Sequence, residues 1–247
     1  MRWIYLSPHL DDAIISCGGL IYKQIQAETD VEIWNLMSGI PPSIAPLSEL
    51  ARTFQAGWGT NSAKETLRLR LKEDQLAALC VGARPSYFDF LDCIYRCDEN
   101  NRPLYSADIF VPPHVDDMLL IEDIASILGE KILDEDILVC PLALGSHPDH
   151  VIVRDAAERI RHPLRYYADL PYLLRYPEAI SETTENLVSE ICSLSEIDLL
   201  AWQEAIAAYE TQLMMLFGSK EIMLSEIEQY WQTNRGIQLW KIRKKSS

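Results

Sequence analysis

The sequence has no apolar run near the ~20 residues that a membrane-spanning helix needs, and its 247 residues carry few cations. Only 22 are Lys or Arg against 37 Asp or Glu, a net charge of −15. That balance argues against a nucleic acid as partner, because phosphates are held by cationic side chains. It argues equally against docking on an anionic membrane surface. A G-x-G-x-x-G turn is missing too, so a dinucleotide-binding loop is not expected; Gly18-Gly19 falls inside a helical pattern, where close packing accounts for it. The six cysteines are scattered, and the one close pair, Cys93 and Cys97, has no second pair to complete a structural zinc site. Buried reduced thiols in a cytoplasmic protein are the expectation. The first apolar run is too short and too soon interrupted for a signal peptide.

What is present reads as an ordinary globular chain, 48% hydrophobic and 24% charged, with enough length for one domain over 1–247. Short apolar runs at 2–7, 31–37, 87–91, 136–141 and 164–168 read as strands. Between and beyond them, helical patterns fill 12–27, 48–57, 62–81, 117–129 and 151–161. Such alternation implies an α/β fold: a Rossmann-like, mostly parallel sheet with helices on both faces, in three layers. Residues 92–113 form a long irregular connection, a kind of loop that often carries function. The pattern over 173–194 is mixed and suggests two more short strands; 196–217 and 219–232 read as helices, and the basic tail 241–245 as frayed.

Two turns stand out. Pro8-His9-Leu10-Asp11-Asp12 follows the first strand and His147-Pro148-Asp149-His150 follows the fourth, together holding three of the five histidines. Both fall at the same end of a parallel sheet, where ligands bind in open α/β folds. An imidazole from each turn plus one carboxylate makes a three-ligand zinc site with an open position. His9 and Asp12, three apart, project the same way as the chain enters a helix, which leaves Asp11 free. His150, at the start of the next helix, is the better ligand of the second turn. His147 is then left for the substrate oxygen on which charge develops, with Asp149 fixing its tautomer. The competing explanation is that Asp11, Asp12 and Asp149 are ordinary helix N-terminal acids.

The paired turns resemble the PIG-L family, also called LmbE-like, of zinc-dependent N-deacetylases of N-acetylglucosaminyl compounds. That family carries a P-H-P-D-D-E turn and, about two thirds along, an H-x-D-H turn; here they are Pro8-His9-Leu10-Asp11-Asp12-Ala13 and His147-Pro148-Asp149-His150. Its R-x-x-E-x-x-x-A helix is matched by Arg70, Glu73 and Ala77, an Asp after its third strand by Asp92, and its last helix by 205–212. The resemblance implies that His9, Asp12 and His150 hold one Zn2+, with Fe2+ the alternative metal. It implies Asp11 as general base, His147 as the group stabilising the tetrahedral intermediate, and Arg70 and Asp92 as lining a sugar pocket. The implied substrate is a small-molecule amino-sugar conjugate that loses its N-acetyl group; assembly into a homo-oligomer stays open.

Leu10 replaces the family's proline and Ala13 its final acid. Neither is an implied ligand, although loss of the acid bears on support around the metal. Rival readings are a non-catalytic sugar-binding or scaffold member of the fold, and an Fe(II) oxygenase with a two-histidine, one-carboxylate triad. Locally, Arg70 could instead pair with Glu73 or Asp74 on a helix surface, and Asp92 could cap a turn. Tyr166, Tyr167 and Tyr172 could stack on a sugar, but aromatics in strands are more often core.

Overall fold

The first apolar run becomes the central strand of a sheet. In a computed structural model that describes residues 1–43 and 45–243, β1 (Arg2–Ser7) lies between β2 (Asp30–Asn35) and β4 (Ile137–Pro141), parallel to both. Outside them lie β3 (Arg84–Tyr87) and β5 (Leu164–Tyr167), also parallel. Then come β7 (Gly236–Ile242), antiparallel to β5, and β6 (Leu187–Ser193), antiparallel to β7. The order is β3-β2-β1-β4-β5-β7-β6. The chain therefore winds outward from β1 in one direction and returns to continue in the other. That reversal is the switch point beside which α/β folds bind ligands.

Helices cover both faces. On one, α1 (Asp12–Gln26), α3 (Ala63–Val81), α8 (Glu196–Ala207) and α10 (Lys220–Asn234) bury residues such as Ile14, Ala77, Trp202 and Ile227 against Tyr5 and Val139. On the other, α4 (Met118–Gly129) and α5 (Pro148–Arg159) bury Ile121, Ile152 and Val153 against Ile4 and Leu138. A third, smaller apolar cluster joins α2 (Glu49–Gly57), the start of α3 and the 92–113 connection, through Ala51, Leu67, Ile94 and Tyr105. The three-layer, mostly parallel arrangement expected from the alternation is what forms. No helix among the described residues is long and apolar enough to cross a membrane.

Several boundaries differ from the sequence reading. The third strand is 84–87 rather than 87–91. Pro85 is tolerated in it because β3 is an edge, where a missing N–H costs no ladder bond. Past Tyr87 the chain follows the end of β2 irregularly, through Phe88 N–H to Asn35 O, a Met37–Asp89 bridge, Ser38 Oγ–H to Phe88 O and Gly39 N–H to Phe90 O. The mixed segment holds two short helices, α6 (Tyr172–Arg175) and α7 (Ala179–Thr183), and the single strand β6, not two strands. The expected 196–217 helix breaks into α8 and α9 (Glu210–Leu216). Tyr209 at the break sends its hydroxyl to Asp74, and Glu73 accepts from Thr211 N–H and Oγ1–H, so tertiary anchors override local propensity there. Residues 241 and 242, expected to fray, belong to β7; 244 and 245 lie outside the described residues. Of the cysteines, Cys17, Cys93 and Cys140 are buried, while Cys80, Cys97 and Cys192 are only half-buried.

Gly18 is explained by packing. A β-carbon there would stand 2.7 Å from Cδ1 of Trp202, a fully buried ring whose Nε1–H donates to the Ile14 and Ile15 carbonyls at 3.0 Å. Because that ring is pinned, Gly18→Ala is expected to destabilise by about 1–3 kcal/mol, overpacking outweighing the gain in helix propensity. Chemical denaturation measures it, and an unchanged midpoint would show that Trp202 can give way.

Candidate active site

Ser7 ends β1 and organises the turn that follows. Its Oγ–H donates to the His9 carbonyl and its Oγ accepts Ala13 N–H at 3.0 Å, while the Ser7 and Pro8 carbonyls take the Leu36 and Met37 amides. The turn is thus held from both sides, and α1 starts at Asp12. Asp11 occupies the N-cap position, but its side chain makes no capping bond. Its carboxylate instead accepts from Arg70 Nη2 at 3.3 Å, so the helix-capping explanation fails for Asp11.

After β4 the chain passes through Ala143 (φ 59), Gly145 (φ 82) and Ser146 (φ 58), left-handed conformations costly for the two non-glycine residues. His147 then caps α5, its Nδ1 accepting the Asp149 N–H at 3.2 Å, with Pro148 in the first turn, where its missing N–H costs nothing. The two turns meet at the rim of the sheet. His9 Nδ1 lies 3.2 Å from Asp12 Oδ2, and His150 Nε2 lies 3.4 Å from Asp12 Oδ1. Three donor atoms from His9, Asp12 and His150 fall within 4.8 Å of one another. Zn–N and Zn–O bonds of about 2.0–2.2 Å need ligand atoms spaced in this range.

The opposite ring nitrogens are held by carboxylates. Asp149 Oδ2 is 2.9 Å from His9 Nε2, and Asp169 Oδ1 is 2.6 Å from His150 Nδ1. This leaves His9 Nδ1 and His150 Nε2 as the free donor atoms, an arrangement that orients imidazoles toward a cation and raises their basicity. Two further close groups, His9–His147–Asp149 and Asp92–Cys93–Asp149, both draw on Asp149. Its oxygens already serve Arg96 at 2.6 Å, His9, and the Cys93 N–H at 2.9 Å, so His9–Asp12–His150 is the set that fits a divalent cation. Burial opposes charge on Asp12, yet the His150 and His9 imidazoles hold its carboxyl below the usual range. For Asp11, burial pushes the carboxyl up; Arg70 opposes this and Asp12 reinforces it.

Asp149 plays a different part from the one its sequence position suggested. Its backbone N–H, not its carboxylate, fixes the His147 tautomer, while the carboxylate orients His9 and pairs with Arg96, itself tied to Asp117. Arg70 is buried, faces Asp11, has Nη1 4.0 Å from Asp92 Oδ2, and stacks over Trp58 at 5.0 Å. Neither Glu73 nor Asp74 is its partner: Glu73 anchors α9, and Asp74 accepts from Tyr87, Tyr209 and Asn35. Asp92 caps its turn and also borders the cavity. One oxygen caps the turn at Ile94 N–H, and the other lies 3.9 Å from His9 Nε2. Tyr166 and Tyr167 are core, whereas Tyr172 lines the cavity.

The cavity measures about 260 Å³, with His9, Asp11, Asp12, Arg70, Asp92 and His147 on its floor. The model of the PIG-L family, described as GlcNAc-PI de-N-acetylase, matches residues 4–160, which span both turns. The chain belongs to that family. Leu10 and Ala13, where it departs from the PIG-L turn, are buried in the apolar clusters beside the site. A 2'-N-acetylparomamine deacetylase of Niallia circulans is 25% identical over 97% of this chain and 94% of its own length. Among solved structures, the zinc-inhibited form of a teicoplanin deacetylase superposes over the whole of both chains with a TM-score of 0.87 at 24% identity. The A40926 pseudoaglycone deacetylase superposes with a TM-score of 0.76 at 27% identity, over 100% of this chain and 98% of its own.

Asp169 and Arg96 were not singled out in the sequence. Asp169 ends an aromatic strand at the ligand-binding rim, a usable signal; nothing in the 92–113 segment marks Arg96. Asp169 serves two loops, since its Oδ2 also accepts Leu144 N–H at 2.9 Å. Asn at this position cannot accept from both His150 and Leu144. We therefore expect Asp169→Asn to weaken metal affinity by ~10–100-fold, as titration of the metal-free protein would measure; unchanged affinity would remove Asp169 from the support of His150.

Proposed function

We propose that this protein is a metal-dependent hydrolase that removes the N-acetyl group from an amino-sugar conjugate of the N-acetylglucosamine type, releasing acetate and a free amine. One observation carries the reading: His9, Asp12 and His150 present a three-atom donor set, and Asp11, spared from it, opens onto the same cavity. The donor set suits Zn2+, with Fe2+ the alternative. A bound divalent cation supplies Lewis-acid polarisation of the amide and acidification of water.

The chain's own groups divide the remaining work. Asp11 takes the proton from the attacking water and returns it to the leaving nitrogen, its raised pKa suiting it to both transfers. Arg70 keeps that carboxylate aimed. His147 is neutral because burial, then the neighbouring His9, holds its pKa well below the usual value. With Nδ1 occupied as an acceptor, its proton sits on Nε2 and is donated to the carbonyl oxygen as charge develops there. Asp92 presents its outer oxygen to a sugar hydroxyl.

The test is acetate release by the Zn2+-loaded protein from a panel of N-acetylglucosamine conjugates, with chelated protein as control. Metal-dependent acetate release supports the proposal. Glycan binding without acetate, with metal present, would instead favour a sugar-binding scaffold, and oxygen-dependent turnover an oxygenase.

A further inference from the structure

Two adjacent carboxylates on α3 are devoted to one corner of the chain. Glu73 and Asp74 are both buried, and burial is costly for a carboxylate unless its oxygens are hydrogen-bonded. Asp74 accepts from the Tyr209 hydroxyl at 2.9 Å. Glu73 takes the Thr211 N–H at 2.8 Å on one oxygen and the Thr211 hydroxyl at 2.6 Å on the other. All three donors lie where α8 breaks into α9. The next residue, Gln212, is 4% exposed and lines the same cavity as Asp11 and Arg70.

This network fixes which way the Gln212 amide is turned. Thr211 has one hydroxyl proton, and Glu73 Oε2 receives it. The group 2.8 Å from Thr211 Oγ1 must therefore donate, so it is Gln212 Nε2, and Oε1 is turned away. Among the described residues no donor reaches Oε1, which is left as the polar atom that Gln212 offers the cavity. The other side-chain acceptors on the wall are carboxylates with partners: Asp11 with Arg70, Asp12 with His9 and His150, Asp92 with the Ile94 N–H. Gln212 Oε1 is the neutral acceptor among them, and a neutral hydroxyl is the donor that suits it.

We infer that Gln212 Oε1 accepts a hydrogen bond from a ring hydroxyl of the amino sugar, with Thr211 and Glu73 as the positioning residues that hold its amide in that orientation. This rests on the deacetylase reading of the site, but on side chains which that reading leaves unused. The hydrogen bonds run in one direction, from substrate O–H to Oε1, from Nε2–H to Thr211 Oγ1, and from Thr211 O–H to a carboxylate, so each supports the next. Turning the amide over would set Oε1 against a hydroxyl oxygen whose proton is already committed. The acceptor is therefore fixed before the sugar arrives. A site built this way rejects an analogue lacking the hydroxyl, because a buried acceptor is then left unpaired.

The experiment measures acetate release by the Zn2+-loaded protein from methyl N-acetylglucosaminide and from its 3-deoxy, 4-deoxy and 6-deoxy analogues. In the parent, kcat/KM for at least one analogue should fall about 10-fold, the upper range for one neutral hydrogen bond. Gln212→Met should bring that one ratio of intact to deoxy sugar close to unity and leave the ratios at the other positions as they were. Thr211→Val, which frees the amide to turn, should lower the same ratio, and Thr211→Ser, which keeps the hydroxyl, should restore it. A merely structural role would slow all four sugars alike and move no ratio. If Gln212→Met fails to fold, the Thr211 pair decides. Calorimetry of the same sugars on the Zn2+-loaded Asp11→Asn protein, with and without Gln212→Met, reads the ratios from binding alone. Acetate release with ratios unmoved by these variants overturns the Gln212 assignment alone. A ratio that Gln212→Met abolishes in binding, without acetate release by the parent, overturns the deacetylase reading alone. Neither binding nor release of any of the sugars overturns both.

Discussion

Asp11→Asn is expected to cut turnover at least ~10²-fold while the protein keeps its metal, the usual contribution of a general base. The expectation follows from the division of labour between two adjacent carboxylates. Asp12 lies within 3.2–3.4 Å of both imidazole donor atoms and is held ionised by them. Asp11 points away from that set toward Arg70. An amide is close in size to a carboxylate and still accepts from Arg70, so the fold and the donor set should survive. Only the capacity to take a proton is lost.

The pH profile gives a second readout. Burial raises the Asp11 pKa above its ordinary value, and the base must be deprotonated to act. Activity in the parent should therefore rise with pH through that raised pKa, and the acid limb of kcat/KM should disappear in the variant's residual activity. Metal content by elemental analysis separates this from ligand loss. A variant that turns over like the parent would remove Asp11 from the mechanism.

How far the site could be read from the sequence depends on chemistry per residue. Histidine is scarce, so two turns that use three of five histidines announce themselves, and period-two and period-3.6 patterns place them at strand ends. What escaped was partnership. Asp149 lies two residues from His147 in sequence, yet its carboxylate serves His9, 140 positions away. Asp169 is one of 37 acidic residues, and only the pairing of β4 with β5 reveals that it stands behind His150. Likewise β3 and β7 were misread or missed because edge position and antiparallel return are tertiary facts, and Pro85 looks prohibitive until the strand is known to be an edge.

His147→Asn should lower kcat by about 10²–10³-fold, as does loss of one donor to a developing oxyanion, without loss of metal or of stability. Asn is the informative replacement because His147 does two jobs. Its Nδ1 caps α5 at Asp149 N–H, and removing a cap outright costs about 1 kcal/mol. Asparagine is itself a strong N-cap, so its Oδ1 takes over that bond. The shorter side chain cannot place a donor where Nε2 stands, 3.9 Å from Cys93 Sγ beside the cavity. Since His147 stays neutral through the neutral range, removing it should lower the whole pH profile without deleting a limb, in contrast to Asp11→Asn. A kcat within a factor of about ten of the parent, with α5 intact by thermal melting, would leave His147 as a helix cap and nothing more.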